Sequence, residues 1–204
     1  FLITSPKRLT LGRGTLKDTL TKVVNDAVDQ FGADYVEVRA QKLFKTMLAI
    51  KEDRVEATKE GVENGAAIRV LVNGAWGFAS LCSLDAKTLV EVVSEACRMA
   101  KAASQKLKNP IKLIEGGAFE DRVSVKPKKD PSKISVEDKI RAALTISETV
   151  LGYDKRVKSC TVDYLDLVGT TYFMNNEGAY IEQDKLYVWS RILVTAKEGE
   201  VFTF

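Results

Sequence analysis

The chain of 204 residues contains no histidine. Imidazole is the side chain whose charge changes nearest neutral pH, and it is the commonest zinc ligand. Any mechanism that needs it must draw it from residues outside this sequence. Cysteine is scarce too. Cys82, Cys97 and Cys160 are odd in number, far apart and in no C-x-x-C spacing. That argues against a disulfide framework or a cysteine zinc site and fits a reducing, cytoplasmic setting. No apolar run approaches the roughly 20 residues of a membrane helix. Phe1 to Gly14 has no apolar run followed by a small-residue cleavage site, so it does not read as a signal peptide. An excess of charge is also missing: 31 basic residues against 28 acidic leave +3, too balanced for a dedicated nucleic-acid binder. There is no G-x-S-x-G elbow, Walker A loop or zinc helix motif. The acidic pairs Glu52-Asp53 and Glu120-Asp121 read as turn solubility, because neighbours on a strand point to opposite faces. The sequence therefore offers no catalytic residue and no metal ligand. Its first residue is Phe1 rather than Met, as in an excerpt or a processed product.

What is present is an ordinary globular pattern. A chain of this length makes one large or two small domains and can bury roughly 70% of its unfolded surface without a metal or disulfide. Leu16, Leu20, Val23, Val24, Ala27, Val28 and Phe31 recur at helical spacing, with Thr15 to cap the start and Gly32 to end it. Val36, Val38 and Ala40 then alternate with polar residues, as do Phe44, Thr46, Leu48 and Ile50, so each stretch predicts a strand. Arg54 to Lys59 and Ala66 to Val72 continue the pattern. Asn73-Gly74 suits a type I′ hairpin returning through Ala75 to Leu81. Ser83 is placed to cap a second helix reaching about Ala103, with Cys97 on its apolar face. Residues 104–134 hold Pro110, Pro127 and Pro131 and read as a long connection with one short strand at Arg122 to Val125. Ser135-Val136-Glu137-Asp138 resembles a capping box opening a third helix, ended by Gly152. β pattern returns at Arg156, with Asn175-Asn176-Glu177-Gly178 and Glu198-Gly199 as turns. The expected class is α+β: antiparallel meander sheets with about three helices packed on one side. The order helix, then strands with a Gly-containing turn, occurs in both halves and allows an internal duplication.

The most distinctive run is Gly65-Ala-Ala-Ile-Arg69-Val-Leu-Val-Asn73-Gly74-Ala-Trp76-Gly77-Phe78-Ala-Ser80. Trp76 and Phe78 share one face, Arg69 points from the preceding strand, and the glycines admit close backbone approach. Such a hairpin can pair with an extended peptide at a free edge; it can equally be a core hairpin whose aromatics fill space. Arg69, Trp76, Gly77 and Phe78 are the candidate substrate-binding residues.

This run resembles the N-terminal domain of TldD-type proteins in the TldD/PmbA family. The likeness extends upstream to Ala33-Asp34-Tyr35-Val36-Glu37-Val38-Arg39, downstream through the helix after Ser83, and more loosely to Asn175–Gly178. The resemblance implies a flexible tail over residues 1–14 and one N-terminal α+β domain over 15–204. It implies a cytoplasmic metallopeptidase acting on small or unfolded peptides, with subunits paired as a homodimer or with a PmbA-like partner that lacks the zinc motif. In that family a His-Glu-x-x-x-His motif and a later Cys hold zinc, downstream of the region matched here. Zinc would then belong to the parent protein, with none bound by this fragment, which would help enclose the peptide.

Two other readings stand beside this one. The lack of catalytic residues would also suit a non-catalytic PmbA-like subunit or a regulatory module, since the family has been labelled a modulator of DNA gyrase. Direct nucleic-acid binding through Lys126 to Lys133 is disfavoured, because no aromatic is interleaved and Asp130 interrupts the run.

Overall fold

The computed structural model describes residues 15–114 and 116–203, so the tail expected over residues 1–14 lies outside the described residues. The elements are α1 (Leu16–Asp29), β1 (Tyr35–Lys51), β2 (Arg54–Val72), β3 (Ala75–Leu81), α2 (Ala86–Ser104), β4 (Glu120–Val123), a 3₁₀ turn (Pro131–Lys133), α3 (Val136–Leu151), β5 (Val157–Asn175), β6 (Tyr180–Glu198) and β7 (Val201–Thr203). Hydrogen bonding orders the strands β3-β2-β1-β5-β6-β4, with β7 on β6. β2 and β3 are antiparallel, as are β6 and β7. β4 is the exception. The Phe119–Tyr180, Arg122–Glu182 and Val125–Asp184 contacts advance in the same direction along both strands, so β4 runs parallel to β6. The class is α+β, as expected, with one parallel edge strand in a mostly antiparallel sheet.

Two compact units share the strands. Among the described residues, the first holds 15–40, Gly65–Asp121 and Tyr172–Ile181; the second holds Gln41–Asn64, Arg122–Thr171 and 182–203. The units alternate along the sequence and are not its two halves.

In the first unit, α1 begins where expected. Thr15 Oγ1 accepts from Asp18 N at 3.2 Å and Thr15 N donates to Asp18 Oδ2 at 2.8 Å, closing a capping box. Beyond the last turn Gly32 takes φ +67°. α2 corrects the sequence reading. Its cap is Asp85, not Ser83, because the Asp85 carboxylate reaches Thr88 N at 2.9 Å while Ser83 Oγ accepts from Asp85 N at 3.1 Å. Leu84 and Leu89 flank that cap and bury in the same core, in the positions of a hydrophobic staple. Leu20, Val23 and Ala27 of α1 and Leu89, Val93, Ala96 and Cys97 of α2 pack on Val36, Val38, Ile68 and Val70. Burying each of the larger aliphatic side chains is worth roughly 1.5–3 kcal/mol, which is what holds helix to sheet.

In the second unit, Ser135 caps α3, accepting from Asp138 N at 3.1 Å, but the expected capping box is incomplete, because the Asp138 carboxylate accepts from the Ser135 hydroxyl at 2.8 Å and not from its backbone amide. Ala143 of α3 packs with Ile50, Cys160 and Val162. Both buried cysteines are therefore core residues, and all three cysteines are free thiols. β1 is one strand where the sequence predicted two, because no glycine or proline interrupts Ala40 to Phe44 and the extended backbone continues. β5 likewise passes through Gly169, where a Cβ would collide with the Lys42 carbonyl of β1. No helix of the described residues is long and apolar enough to cross a membrane.

Candidate functional site

The strand period that sends Val36, Val38, Ile68 and Val70 to the helices leaves the alternate residues on the opposite face of the first unit. Those are Tyr35, Glu37 and Arg39 on β1, Arg69 and Leu71 on β2, and Trp76 and Phe78 on β3. Asn73 (φ +50°) and Gly74 (φ +76°) form the predicted hairpin turn. The turn sets a register in which Arg69 lies opposite Phe78 and Leu71 opposite Trp76. The β5–β6 turn holds the start of β1: Asn176 Oδ1 accepts from Val36 N at 3.0 Å, and its Nδ2 donates to the Asp34 carbonyl at 3.3 Å.

Glu37 is the centre of this face. Its residue exposure is only 6%. One oxygen, Oε1, lies 3.2 Å from Arg69 Nε and 3.4 Å from Arg39 Nε. The other, Oε2, accepts from the Tyr35 hydroxyl at 2.9 Å. The Arg69 guanidinium stacks 4.7 Å from the Trp76 ring centre and that of Arg39 4.9 Å from Phe173. Tyr35 meets Trp76 edge-on at 6.0 Å. Burial raises the Tyr35 hydroxyl pKa; a hydrogen bond from Asn175 opposes the rise and Glu37 adds to it. The phenol thus stays protonated near neutrality and remains a donor to Glu37.

Beside this face lies an open cleft of about 630 Å³, lined by Asp34, Tyr35, Leu71, Ile111, Lys112, Leu113, Gly116 and Glu177. Tyr35 and Leu71 belong to both. On the far side, β3 has a strand neighbour on one side only among the described residues. In a two-residue hairpin closed by Val72 and Ala75, the backbone groups of Trp76, Phe78 and Ser80 point away from β2.

Of the residues singled out from the sequence, Arg69, Trp76 and Phe78 come together on this face, with Phe78 57% exposed. Gly77 does not. It faces α2, where a Cβ would drive into the Ala96 carbonyl. Its lack of a side chain serves helix packing. Glu37, Arg39, Tyr35 and Phe173 were not singled out as site residues. The signal for three of them was the polar phase of the first strand, Tyr35-x-Glu37-x-Arg39, which must share a face.

Metal-binding geometry is a separate matter. Zinc takes three or four thiolate, imidazole or carboxylate ligands. The chain has no imidazole, and among the described residues no group of three His, Cys, Asp or Glu side chains converges. The residues present do not fit a zinc ion.

Comparisons with known proteins bear on the family and the fold. The sequence model for PmbA/TldA metallopeptidase domain 1 matches residues 36–100, and that for the PmbA/TldA metallopeptidase central domain matches residues 129–204. A metalloprotease of Methanothermobacter thermautotrophicus is 27% identical over 187 residues, covering 92% of this chain and 39% of the relative. A zinc metalloprotease TldD homologue of Saccharolobus solfataricus is 25% identical over 179 residues, covering 85% of this chain and 36% of the relative. The chain spans 33–39% of the length of the curated relatives it matches. Among solved structures, TldE from Thermococcus kodakarensis superposes with a TM-score of 0.71 at 14% identity, covering 91% of this chain and 41% of that one. A protein of Bacteroides thetaiotaomicron described as a candidate modulator of DNA gyrase superposes with a TM-score of 0.70 at 20% identity, covering 91% and 42%. These two share the fold.

Proposed function

The chain belongs to the PmbA/TldD metallopeptidase family, and on that premise we propose that it is the N-terminal substrate-enclosing and assembly part of a zinc metallopeptidase that cleaves small or unfolded peptides. The observation that carries this reading is the edge of β3. An added strand there would take main-chain hydrogen bonds from Trp76, Phe78 and Ser80, whose side chains share the open face. Main-chain pairing is indifferent to sequence, which suits a protease for unfolded chains. Arg69, Trp76 and Phe78 would then touch the side chains of the bound segment. In this reading these residues bind and orient the peptide, and Glu37 positions the arginines.

The hydrolytic centre and its zinc lie in the rest of the parent protein. That protein is cytoplasmic and works as a dimer, either with itself or with a PmbA-like subunit. The test is cleavage of unfolded peptides by the full-length protein, with and without a chelator, in wild type and Trp76→Ala/Phe78→Ala. The reading expects chelator-sensitive cleavage and a raised KM in the variant. Unchanged KM would overturn the assignment of the β3 edge. A full-length protein with no chelator-sensitive cleavage would favour the non-catalytic, PmbA-like or regulatory role instead.

A further inference from the structure

We infer that Arg39 and Arg69 form a ready-made clamp for a carboxylate of the bound peptide. The inference rests on the reading that the open face handles peptide, and it adds what that face selects. A guanidinium carries five N–H donors in a planar fork. Arg39 donates its Nε–H to Glu37 Oε1, and Arg69 Nε lies 3.2 Å from the same oxygen as an ion pair. Among the described residues nothing accepts from their terminal amino groups.

A buried carboxylate needs one cation to compensate it. Here two cations converge on one anion, so the face keeps a positive charge beside Glu37. Asp34 and Glu177 lie at the cleft end, where they accept from Asn73 N at 2.7 Å and Gly116 N at 3.3 Å. The uncompensated charge therefore sits at the arginine end of the face.

Order matters as much as charge. Each guanidinium lies over an aromatic ring and is ion-paired with Glu37, yet the side chains are 67% and 50% exposed. Long side chains normally lose conformational freedom when they grip a ligand. These two are already held, with their outer edges toward solvent. Planar, bidentate donors match the two oxygens of a carboxylate, which a lysine ammonium does not.

The experiment uses the full-length protein and three matched unfolded peptides. One carries a glutamate side chain and an amidated C-terminus. One is neutral with a free C-terminal carboxylate. One is neutral and amidated. Cleavage is followed together with binding, read by isothermal titration calorimetry. The inference expects at least one carboxylate peptide to exceed the neutral amidated one by about tenfold, the size of a charge-assisted hydrogen-bonded pair. The peptide showing the advantage identifies a side-chain or a terminal carboxylate as the ligand.

That ratio should collapse in Arg39→Gln/Arg69→Gln and remain depressed in Arg39→Lys/Arg69→Lys, which keeps the charge and loses the fork. Because the first variant strips Glu37 of its partners, Glu37→Gln/Arg39→Gln/Arg69→Gln is measured alongside it and should show the same collapse. A wild-type ratio near one, or a ratio that survives in the variants, overturns the clamp. Equal binding of inorganic phosphate at the same concentration overturns it too, by showing an unselective anion site. Carboxylate binding that depends on the arginines without any cleavage would keep the clamp and remove the peptidase reading.

Discussion

The Lys139 ammonium lies 2.6 Å from Asp166 Oδ2, with side-chain exposures of 5% and 0%. Both belong to the second unit. Lys139 Nζ also lies 3.1 Å from Thr46 Oγ1, and the Tyr164 hydroxyl donates to the same Asp166 oxygen at 2.7 Å. Burial, and then the neighbouring Asp166 carboxylate, push the Tyr164 hydroxyl pKa up, so it stays a donor. Asp166 Oδ1 has no hydrogen-bond partner among the described residues. Among the described residues, two charges withdrawn from water are held by each other, by the Thr46 and Tyr164 hydroxyls and, for Lys139, by the Tyr164 ring 5.9 Å away.

That arrangement predicts an asymmetry. Lys139→Met leaves the Asp166 charge buried and unpaired, and should cost about 3–5 kcal/mol in urea denaturation. Lys139→Met/Asp166→Leu removes both charges and should recover most of that loss, because a well-packed apolar pair often replaces a buried ion pair without cost. A double variant as unstable as the single one would mean that packing, not charge, dominates the site.

Local chemistry was legible in the sequence; partners from distant sequence were not. The Thr15 cap, the left-handed Gly32, the Asn73-Gly74 turn and the Ser135 cap depend on residues within a few positions of one another, and all appear. Asp85 was missed as a cap because Ser83, Asp85 and Thr88 compete over the same few residues and only the backbone geometry decides among them. Lys139 was missed because burial of a lysine depends on Thr46, 93 residues away, and on Asp166. Glu37 is the same case: Arg69, one of the two arginines that compensate it, comes from the next strand. The parallel β4 depends on a long connection whose path leaves no periodic trace. Arg69, Trp76 and Phe78 could be read as one surface because a single two-residue turn sets their register. Gly77 misled because glycine marks close approach without saying what approaches.

Gly77 supplies the second prediction. A Cβ there would strike the Ala96 carbonyl and meet Ala100 Cβ at 3.1 Å. The obstacle is helix backbone, which cannot turn aside as a flexible side chain could. Gly77→Ala should destabilise the first unit by about 3 kcal/mol, the upper part of the usual range for overpacking. Gly61, also in a strand, has nothing within 4 Å of an added Cβ. Gly61→Ala should be neutral or slightly stabilising, since it restricts the unfolded chain. Thermal melts should therefore fall for Gly77→Ala and not for Gly61→Ala; equal losses would show that strand flexibility, not the α2 contact, sets the requirement for glycine.

The third prediction concerns acid. Asp154 Oδ1 accepts from Arg156 Nε at 3.0 Å and from Arg156 N at 2.8 Å, while Oδ2 accepts from Nη2 at 2.9 Å. The Arg156 side chain, then its backbone amide, pulls the Asp154 carboxyl from 3.8 down to about 2. A carboxylate whose pKa is lower folded than unfolded binds fewer protons in the native state, so its contribution is present above the unfolded value and disappears as pH falls through the folded one. Asp154→Asn should therefore lower the urea midpoint by a constant amount at neutral pH. The gap should begin to close near pH 3.8 and vanish below about pH 2. Asp18, Asp85 and Asp130 are likewise held low by hydrogen bonds from Thr15, Thr88 and Ser132, so both proteins keep an acid limb and only the difference between them reports on Asp154. Because this carboxylate is only partly buried, the gap at neutral pH should be small and should shrink further with salt. A gap that stayed constant down to pH 2 would show that the substituted amide costs stability through its shape, and that the charge of the Asp154–Arg156 fork contributes nothing.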